Sequence, residues 1–310
     1  MINYFRYENG SLDCGCEPCQ CSWINLTDPS KEELEFISKD YGVDISLLSA
    51  ALDEEETPRI DKEDNAVLIL VDIPVVEPEG TSFLYNTMPL GIIITDNNII
   101  TVCLEETTII EDFAKGRVRG FDCSKKTRFV YQLLFKNSSR FLQHLRQIDK
   151  ASTQVENALH KSMKNRELIQ MLKLEKSLVY FATSLKANET VLEKMMKTTM
   201  IKRYPDDEEL LEDVIVENKQ AIEMCTIYRD ILAGTMDAFA SVISNNLNIV
   251  MKFLTSVTII LAVPTLIASL WGMNLDVPFL DMPGGFWIIT GSSIALTVGA
   301  ALWLWRKKML

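Results

Sequence analysis

Residues 241–274 read SVISNNLNIVMKFLTSVTIILAVPTLIASLWGMN, and this stretch decides how the rest of the chain is organised. Its later part, Ile249 to Trp271, is long and apolar enough to cross a bilayer as one helix. A stripe of mostly small and polar residues nevertheless recurs along it in steps of three and four, which return to one helix face. The stripe contains Asp237, Ser241, Ser244, Asn248, Met251, Thr255, Thr258, Ala262, Thr265, Ser269 and Gly272.

Two interpretations of this stripe follow from its composition. Small residues and Ser/Thr hydroxyls commonly line tight contacts between membrane helices, so the stripe is typical of packing. Several copies of the same helix could instead surround an aqueous path, with the hydroxyl and amide groups facing the water. The periodicity alone leaves both interpretations open.

The flanking motifs resemble those of the CorA magnesium channels. The segment SNNLNIVMKFLT at residues 244–255 is followed by Pro264-Thr265 and by GMN at residues 272–274, where the first of two late spans ends. In the first half of the chain, WINLTDPSKEEL at residues 23–34 and DEEETPRID at residues 53–61 match the family in the same order. The resemblance therefore covers nearly the whole chain.

This resemblance implies a homopentamer in which the first span lines an ion path. The ion-selectivity positions of the family fall on Gly272, Met273 and Asn274. Neutral carbonyl dipoles there suit Mg²⁺, which gives up its water reluctantly. The path and gate positions of the family fall on Thr265, Thr258, Leu254, Met251, Asn248 and Asp237.

Two departures from the family pattern lie at the outer end of the first span. Trp271 replaces the tyrosine that is usual before GMN, and the loop carries Asp281-Met282-Pro283 in place of the commoner Met-Pro-Glu. Carboxylate attraction of ions would therefore come from Asp276 and Asp281.

Composition and charge agree with a membrane protein that handles cations. The 310 residues carry a formal net charge of −12, which argues against nucleic acid as a partner, since nucleic acid recruits basic faces. Spans are predicted at Ile249–Trp271 and Phe286–Trp305, with a cation-free loop between them. Because Arg306, Lys307 and Lys308 follow the second span, we expect both termini in the cytoplasm of a cell whose plasma membrane holds the spans. The first ten residues lack the pattern of a signal peptide.

The order of elements predicts an α+β membrane protein. Short strands and helices precede residue 124, including strands at Ala66–Val76, Leu90–Thr95 and Ile99–Leu104. Long helical periodicity follows, with helices expected over Lys125–Lys164, over Arg166–Tyr204 and from Asp206 onward. We therefore expect a cytoplasmic α/β domain over residues 1–124, long cytoplasmic helices and a stalk over 125–248, and a transmembrane domain over 249–310.

An acidic run covers Asp206 to Glu217, with seven acids among twelve residues. Such a run is typical of a solvated helix face, but it would also suit a sensor for divalent cations between subunits. The family resemblance places a regulatory aspartate at Asp213 and its partner at Asp64, or at the adjacent Glu63.

Four cysteines cluster as Cys14, Cys16, Cys19 and Cys21, with a spacing that is not the usual paired C-x-x-C. They allow a soft-metal site such as zinc, or a variable loop that faces solvent.

Catalysis is not expected, since the chain has two histidines, both in polar helical sequence, and no Gly-rich phosphate loop.

We thus predict a passive channel for Mg²⁺, and for Co²⁺ or Ni²⁺, that is driven by the membrane potential and closed by intracellular Mg²⁺. One alternative is a zinc transporter of the related ZntB branch. The other is a membrane-anchored helical scaffold, in which the polar stripe serves only packing.

Overall fold

The computed structural model describes residues 1–8, 11–15, 22–63, 65–79, 82–162, 165–198, 200–202, 204–273 and 284–307. These residues divide into two compact units, Met1–Gly234 and Thr235–Leu310. The strands are β1 (Ile2–Glu8), β2 (Ser11–Cys14), β3 (Trp23–Thr27), β4 (Arg59–Glu63), β5 (Ala66–Glu79), β6 (Ser82–Ile94) and β7 (Ile99–Cys103). The helices are α1 (Lys31–Tyr41), α2 (Ile45–Ser49), α3 (Thr108–Ala114), α4 (Lys126–Ser162), α5 (Asn165–Lys197), α6 (Pro205–Trp271) and α7 (Gly285–Arg306).

The first unit contains a seven-stranded sheet in the order β2-β1-β3-β7-β6-β5-β4, as far as the described residues show it. Only β3 and β7 run parallel, and the other neighbours are antiparallel. Alternating side chains of β5 supply both cores: Leu68 and Leu70 face one side, while Ile69 and Val71 face the other. The unit is therefore a three-layer α/β/α structure with a core on each face of the sheet.

Helices α1 and α2 cover one face of the sheet. A capping box begins α1: the Glu33 N–H donates to Ser30 Oγ at 3.2 Å, and the Ser30 N–H donates to Glu33 Oε2 at 2.9 Å. A short 3-10 turn follows α2 over Ala50–Leu52. Gly91 of β6 permits its close approach, because a Cβ atom at residue 91 would lie 2.8 Å from Ala51 Cβ.

Helices α3, α4, α5 and the start of α6 cover the opposite face. Trp23 is fully buried there, stacks on Phe5 at 4.2 Å between ring centroids, and meets Phe129 edge-on at 5.1 Å. Its Nε1 donates to Thr101 Oγ1 at 2.9 Å, so the polar end of the indole is satisfied inside the core.

The hairpin of β5 and β6 extends well beyond its neighbours in the sheet. Pairing with β4 stops at Leu70, and pairing with β7 stops at Leu90. In this part of the hairpin, side chains of α5 bond the backbone groups that have no neighbouring strand. Asn188 bonds the N–H and the C=O of Asp72, and Ser177 Oγ accepts from the Tyr85 N–H at 3.2 Å. This replacement of strand partners by side chains fixes α5 along the hairpin.

Several boundaries differ from the sequence prediction. Strand β6 begins at Ser82 and not at Leu90, because Pro89 lies where the hairpin has no β7 neighbour and its missing N–H costs no ladder bond. Helix α5 ends at Lys197 and not at Tyr204, since the chain turns to bury Ile201 in the core. Strands β2 and β4 and helix α3 were not predicted.

The second unit contains the later part of α6 and all of α7. Both helices are long and apolar enough to cross a membrane by length and composition. Helix α6 continues through Pro264 to Trp271, as the unbroken periodicity predicts, and α7 matches the predicted span of 286–305 within one residue at each end.

Candidate functional site: the polar stripe of helix α6

The three threonine hydroxyl groups of the stripe form hydrogen bonds within the helix. Thr255, Thr258 and Thr265 donate to the carbonyl oxygens of the residues four positions earlier, at 2.8, 2.9 and 2.8 Å. Each hydroxyl proton is thereby committed to the helix, and the oxygen lone pairs remain available as acceptors. This row of oxygen acceptors suits contact with water or with a hydrated cation.

The stripe lies on the side of α6 that faces away from α7. The side that contacts α7 carries Ser256, Ile260, Val263, Ile267 and Trp271, all buried or half-buried, at steps of four and three. The midpoint of the stripe is about half a turn away at 100° per residue. Apart from Gly272, which lines the groove between α6 and α7, the stripe therefore does not serve the contact between these two helices.

The stripe residues are exposed in the single chain. Asp237, Asn248, Thr258 and Thr265 are all exposed, as are Met251 at 53% and Leu254 at 58%. The structure thus places the predicted path residues on one accessible face, with the two apolar side chains in its middle.

The end of the stripe is built around Gly272. Its N–H donates to the Ala268 carbonyl at 3.0 Å, and a Cβ atom at residue 272 would lie 3.2 Å from that same oxygen. A side chain here would crowd this carbonyl oxygen, so the glycine lets the end of the helix close without a shift of the backbone. Met273 is exposed at 50%, whereas the predicted residues Asn274, Asp276 and Asp281 lie outside the described residues.

The acidic start of α6 divides into two groups. Asp207 is only 6% exposed, and its Oδ1 lies 3.9 Å from Arg128 Nη1, while Glu217 accepts from Ser139 Oγ at 3.0 Å. Four further acids are exposed: Glu208, Glu209, Glu212 and Asp213. The predicted partner Asp64 lies outside the described residues, so the regulatory pair stays a prediction.

Of the cysteine cluster, Cys14 is described and the other three lie outside the described residues. Cys14 is exposed on β2, and its Sγ lies 3.9 Å from the Ala114 carbonyl oxygen. Desolvation and the nearby Asp13 raise the pKa of the Cys14 thiol, which disfavours the thiolate that a soft metal needs. Within the described ranges no group of three His, Cys, Asp or Glu side chains is arranged to hold a metal ion.

The sequence prediction missed the side of α6 that packs against α7. Ser256 is fully buried there, and a groove between the helices is lined by Pro264, Trp271, Phe286 and Thr290 among others. Ser256, Ile260, Val263 and Ile267 recur in steps of three and four, so the sequence does place them on one helix face. Neighbouring faces of this span are also rich in apolar residues, so the spacing did not single out the face that packs on α7.

Comparison with known proteins identifies the family. Residues 19–308 match the family model described as CorA-like Mg²⁺ transporter protein. The cobalt/magnesium transport protein CorA of Methanocaldococcus jannaschii is 31% identical over 284 residues, which cover 88% of this chain and 86% of that protein.

Solved structures agree with this assignment. The complete structure of the CorA magnesium transporter from M. jannaschii superposes with a TM-score of 0.83 at 27% identity, covering 99% of this chain and 96% of the other. The ZntB cytoplasmic domain from Vibrio parahaemolyticus RIMD 2210633 has a TM-score of 0.60 at 9% identity, covering 78% of this chain and 98% of that domain, which shows a shared fold alone. With the family model spanning nearly the whole sequence and two membrane-spanning helices at its end, the chain is a member of the CorA family of membrane transport proteins.

Proposed function

We propose that the chain is a passive channel for divalent cations, Mg²⁺ foremost and Co²⁺ or Ni²⁺ also, in which α6 from several copies surrounds the ion path. The observation that carries this proposal is the exposed polar stripe on the side of α6 away from α7. A stripe whose described residues, Gly272 apart, face away from α7 suits contact with its equivalents around a symmetry axis. The related M. jannaschii protein, a cobalt/magnesium transport protein, supports the choice of ion.

The path runs along the stripe. Asn274, with Gly272 and Met273, forms the selective entrance, where amide carbonyl oxygens contact Mg²⁺ through its retained water. Thr265, Thr258 and Asn248 offer further oxygen acceptors. Met251 and Leu254 form an apolar constriction that closes by excluding water, and Asp237 attracts cations at the far end. Asp276 and Asp281 raise the local cation concentration at the entrance.

The assembly is a homopentamer in the plasma membrane with both termini in the cytoplasm. The cations at the end of α7, Arg306 and Lys307, support this orientation. Entry is driven by the membrane potential, which supplies about 2.3 kcal/mol per elementary charge per 100 mV. Transport therefore needs neither catalysis nor a nucleotide as an energy source.

Intracellular Mg²⁺ closes the channel by holding neighbouring subunits together at Asp213 and Asp64. The exposed carboxylates at the start of α6 support this role, because equivalent acidic helices repel one another unless cations lie between them. Loss of Mg²⁺ then shifts the population towards open states.

Ion flux into liposomes tests the proposal. Purified protein should admit Mg²⁺ under an inside-negative potential, and Asn274→Ala should abolish this flux while the oligomer stays assembled on size exclusion. Flux of Zn²⁺ in preference to Mg²⁺ would favour the ZntB-like alternative. The absence of any divalent flux would leave a membrane-anchored scaffold as the function.

A further inference from the structure

A cleft of about 720 Å³ in the first unit has a strongly cationic lining. It lies between the end of β4, the turn from β6 to β7, the start of α4 and the residues that precede α6. Two carboxylates in its described lining, Asp96 and Asp207, face five cations: Lys62, Lys125, Lys126, Arg128 and Lys202. This excess of positive charge stands out in a chain whose formal net charge is −12.

Some of these cations already have partners. Lys126 Nζ donates to the backbone carbonyls of Thr95, at 2.8 Å, and of Asp96, and Lys202 Nζ lies 5.2 Å from the centroid of the Tyr204 ring. Lys62 and Lys125 are exposed and form no ion pair within the described ranges. These two ammonium groups are therefore free to meet a ligand.

Arg128 adds a guanidinium to the lining of the cleft. Its Nη1 lies 3.9 Å from Asp207 Oδ1, and the side chain is 42% exposed. The exposed part of the guanidinium can therefore donate to an anion in the cleft.

The start of α4 reinforces this pattern. The Phe129 N–H donates to the Lys125 carbonyl, but the N–H groups of Thr127 and Arg128 have no acceptor within the described part of the chain. Lys125, Lys126 and Arg128 place three cations at the positive end of the helix dipole, where Asp, Ser or Thr is favoured. Asp122, the nearest carboxylate before the helix, is engaged by the N–H and Oγ of Ser124. The start of α4 thus lacks the negative charge that usually stabilises a helix N-terminus.

We propose that this cleft binds a multiply charged phosphate anion, either free polyphosphate or the polyphosphate of a nucleotide. Free ammonium groups, a partly exposed guanidinium and backbone amides at a helix N-terminus are the groups that hold phosphate oxygens. The volume is in the range of small-molecule sites. Tyr204 lines the cleft, is 45% exposed and can stack on a nucleotide base. Its substitution therefore distinguishes a nucleotide from free polyphosphate.

The proposal concerns the α/β unit, and binding can be measured whether or not the protein conducts ions. Lys62 and Asn65 flank Asp64, the residue that we propose for regulatory Mg²⁺, so binding is measured without Mg²⁺. Isothermal titration of the full chain in detergent, with chelator present to remove Mg²⁺, would use tripolyphosphate and ATP as probes. The test variant is Lys62→Gln with Lys125→Gln. The control is Lys176→Gln with Lys186→Gln, which removes the same charge from the exposed face of α5.

We expect the test variant to weaken binding of both probes about tenfold or more, and the control to change it less than about threefold. If a nucleotide is the ligand, ATP binds more tightly than tripolyphosphate, and Tyr204→Leu weakens ATP alone. If free polyphosphate is the ligand, the two probes bind alike and Tyr204→Leu has no effect. No binding of either probe to the wild type, or equal losses in the test and control variants, would overturn the proposal.

Discussion

Thr265 and Leu261 are joined by a hydrogen bond in which the Thr265 hydroxyl donates to the Leu261 carbonyl at 2.8 Å, about two turns before Gly272. The bond lies just after Pro264, where the proline has no N–H to give to the helix. It leaves the lone pairs of the Thr265 oxygen on the exposed side of the stripe. This polar residue, in the last third of the predicted span, thereby stays helical while its oxygen remains available as a hydrogen-bond acceptor.

A charge should be tolerated at Thr265 better than at its neighbour Leu266. Thr265 belongs to the stripe, which we propose is wet, whereas Leu266 points elsewhere and would carry the charge into lipid at a cost of about 2.5–3.5 kcal/mol on insertion scales. Expression and assembly of Thr265→Lys and Leu266→Lys can be compared by membrane yield and size exclusion. Equal damage from both substitutions would argue that the stripe is a dry packing surface.

Asp213→Lys should mimic bound Mg²⁺, because its ammonium can pair with neighbouring carboxylates without an ion. Limited proteolysis gives the measurement: wild type should be protected by millimolar Mg²⁺ and cut in chelator, and the lysine variant should resist in both. If both proteins are cut alike regardless of Mg²⁺, the acidic start of α6 is only a solvated face.

Asn188→Ala should lower the free energy of unfolding of the α/β unit by about 1–3 kcal/mol. The Asn188 Oδ1 accepts from the Asp72 N–H at 2.9 Å and its Nδ2 donates to the Asp72 carbonyl at 2.8 Å. Asn137 Nδ2 also donates to that carbonyl at 2.8 Å, so the substitution leaves the Asp72 N–H without an acceptor. Thr183→Ala is the matched control on the exposed side of the same helix. Chemical denaturation would measure both, and similar losses would show that the paired amide contributes little.

Asp112→Asn should remove part of the acid sensitivity of the fold. Burial would raise the pKa of the Asp112 carboxyl, but Lys136 at 3.0 Å, Arg140 at 2.7 Å and Arg117 at 3.3 Å outweigh it and hold that pKa below its usual range. A depressed pKa in the folded state stabilises the protein above the unfolded-state pKa of about 3.9, and this stabilisation is lost as pH falls through the folded-state pKa.

Thermal unfolding as a function of pH measures this contribution. The gap in stability between wild type and Asp112→Asn should be largest near neutral pH and should shrink below about pH 4. Substitution of the exposed Asp40 by Asn should leave the wild-type profile unchanged. A gap that stays constant with pH would mean that the Asp112 charge does not contribute.

The long helices were predictable because their signal is local. Helices α4, α6 and α7 show unbroken periodicity with few glycines or prolines, and their observed ends lie close to the predicted ones. The turn between β6 and β7 is also encoded locally, by Asp96-Asn97-Asn98, and there the Thr95 N–H donates to the Asn98 carbonyl at 3.0 Å.

Features that depend on distant parts of the chain were missed. The part of β6 before Leu90 is stabilised by Ser177, which is 92 residues from its partner Tyr85. Strand β4 has only one buried side chain, so its sequence shows no clear alternation of apolar and polar residues. The acidic run gave no sign that Asp207 is buried near Arg128 while Asp213 is exposed. Sequence periodicity showed which α6 residues share a face, but the structure was needed to show that α7 packs against the opposite side.

Chemical accessibility of the stripe during transport tests the central claim most directly. Thr258→Cys and the off-stripe control Phe253→Cys would each be placed in liposomes and exposed to a charged, membrane-impermeant thiol reagent while Mg²⁺ flux is recorded. The wild type measures any effect of the reagent on the native cysteines. Of those described, Cys14 is exposed, and Cys103, Cys123 and Cys225 are buried. The account predicts that the reagent blocks flux through Thr258→Cys and spares Phe253→Cys and the wild type. Continued flux through a fully modified Thr258→Cys would contradict the assignment of the stripe as the path for divalent cations.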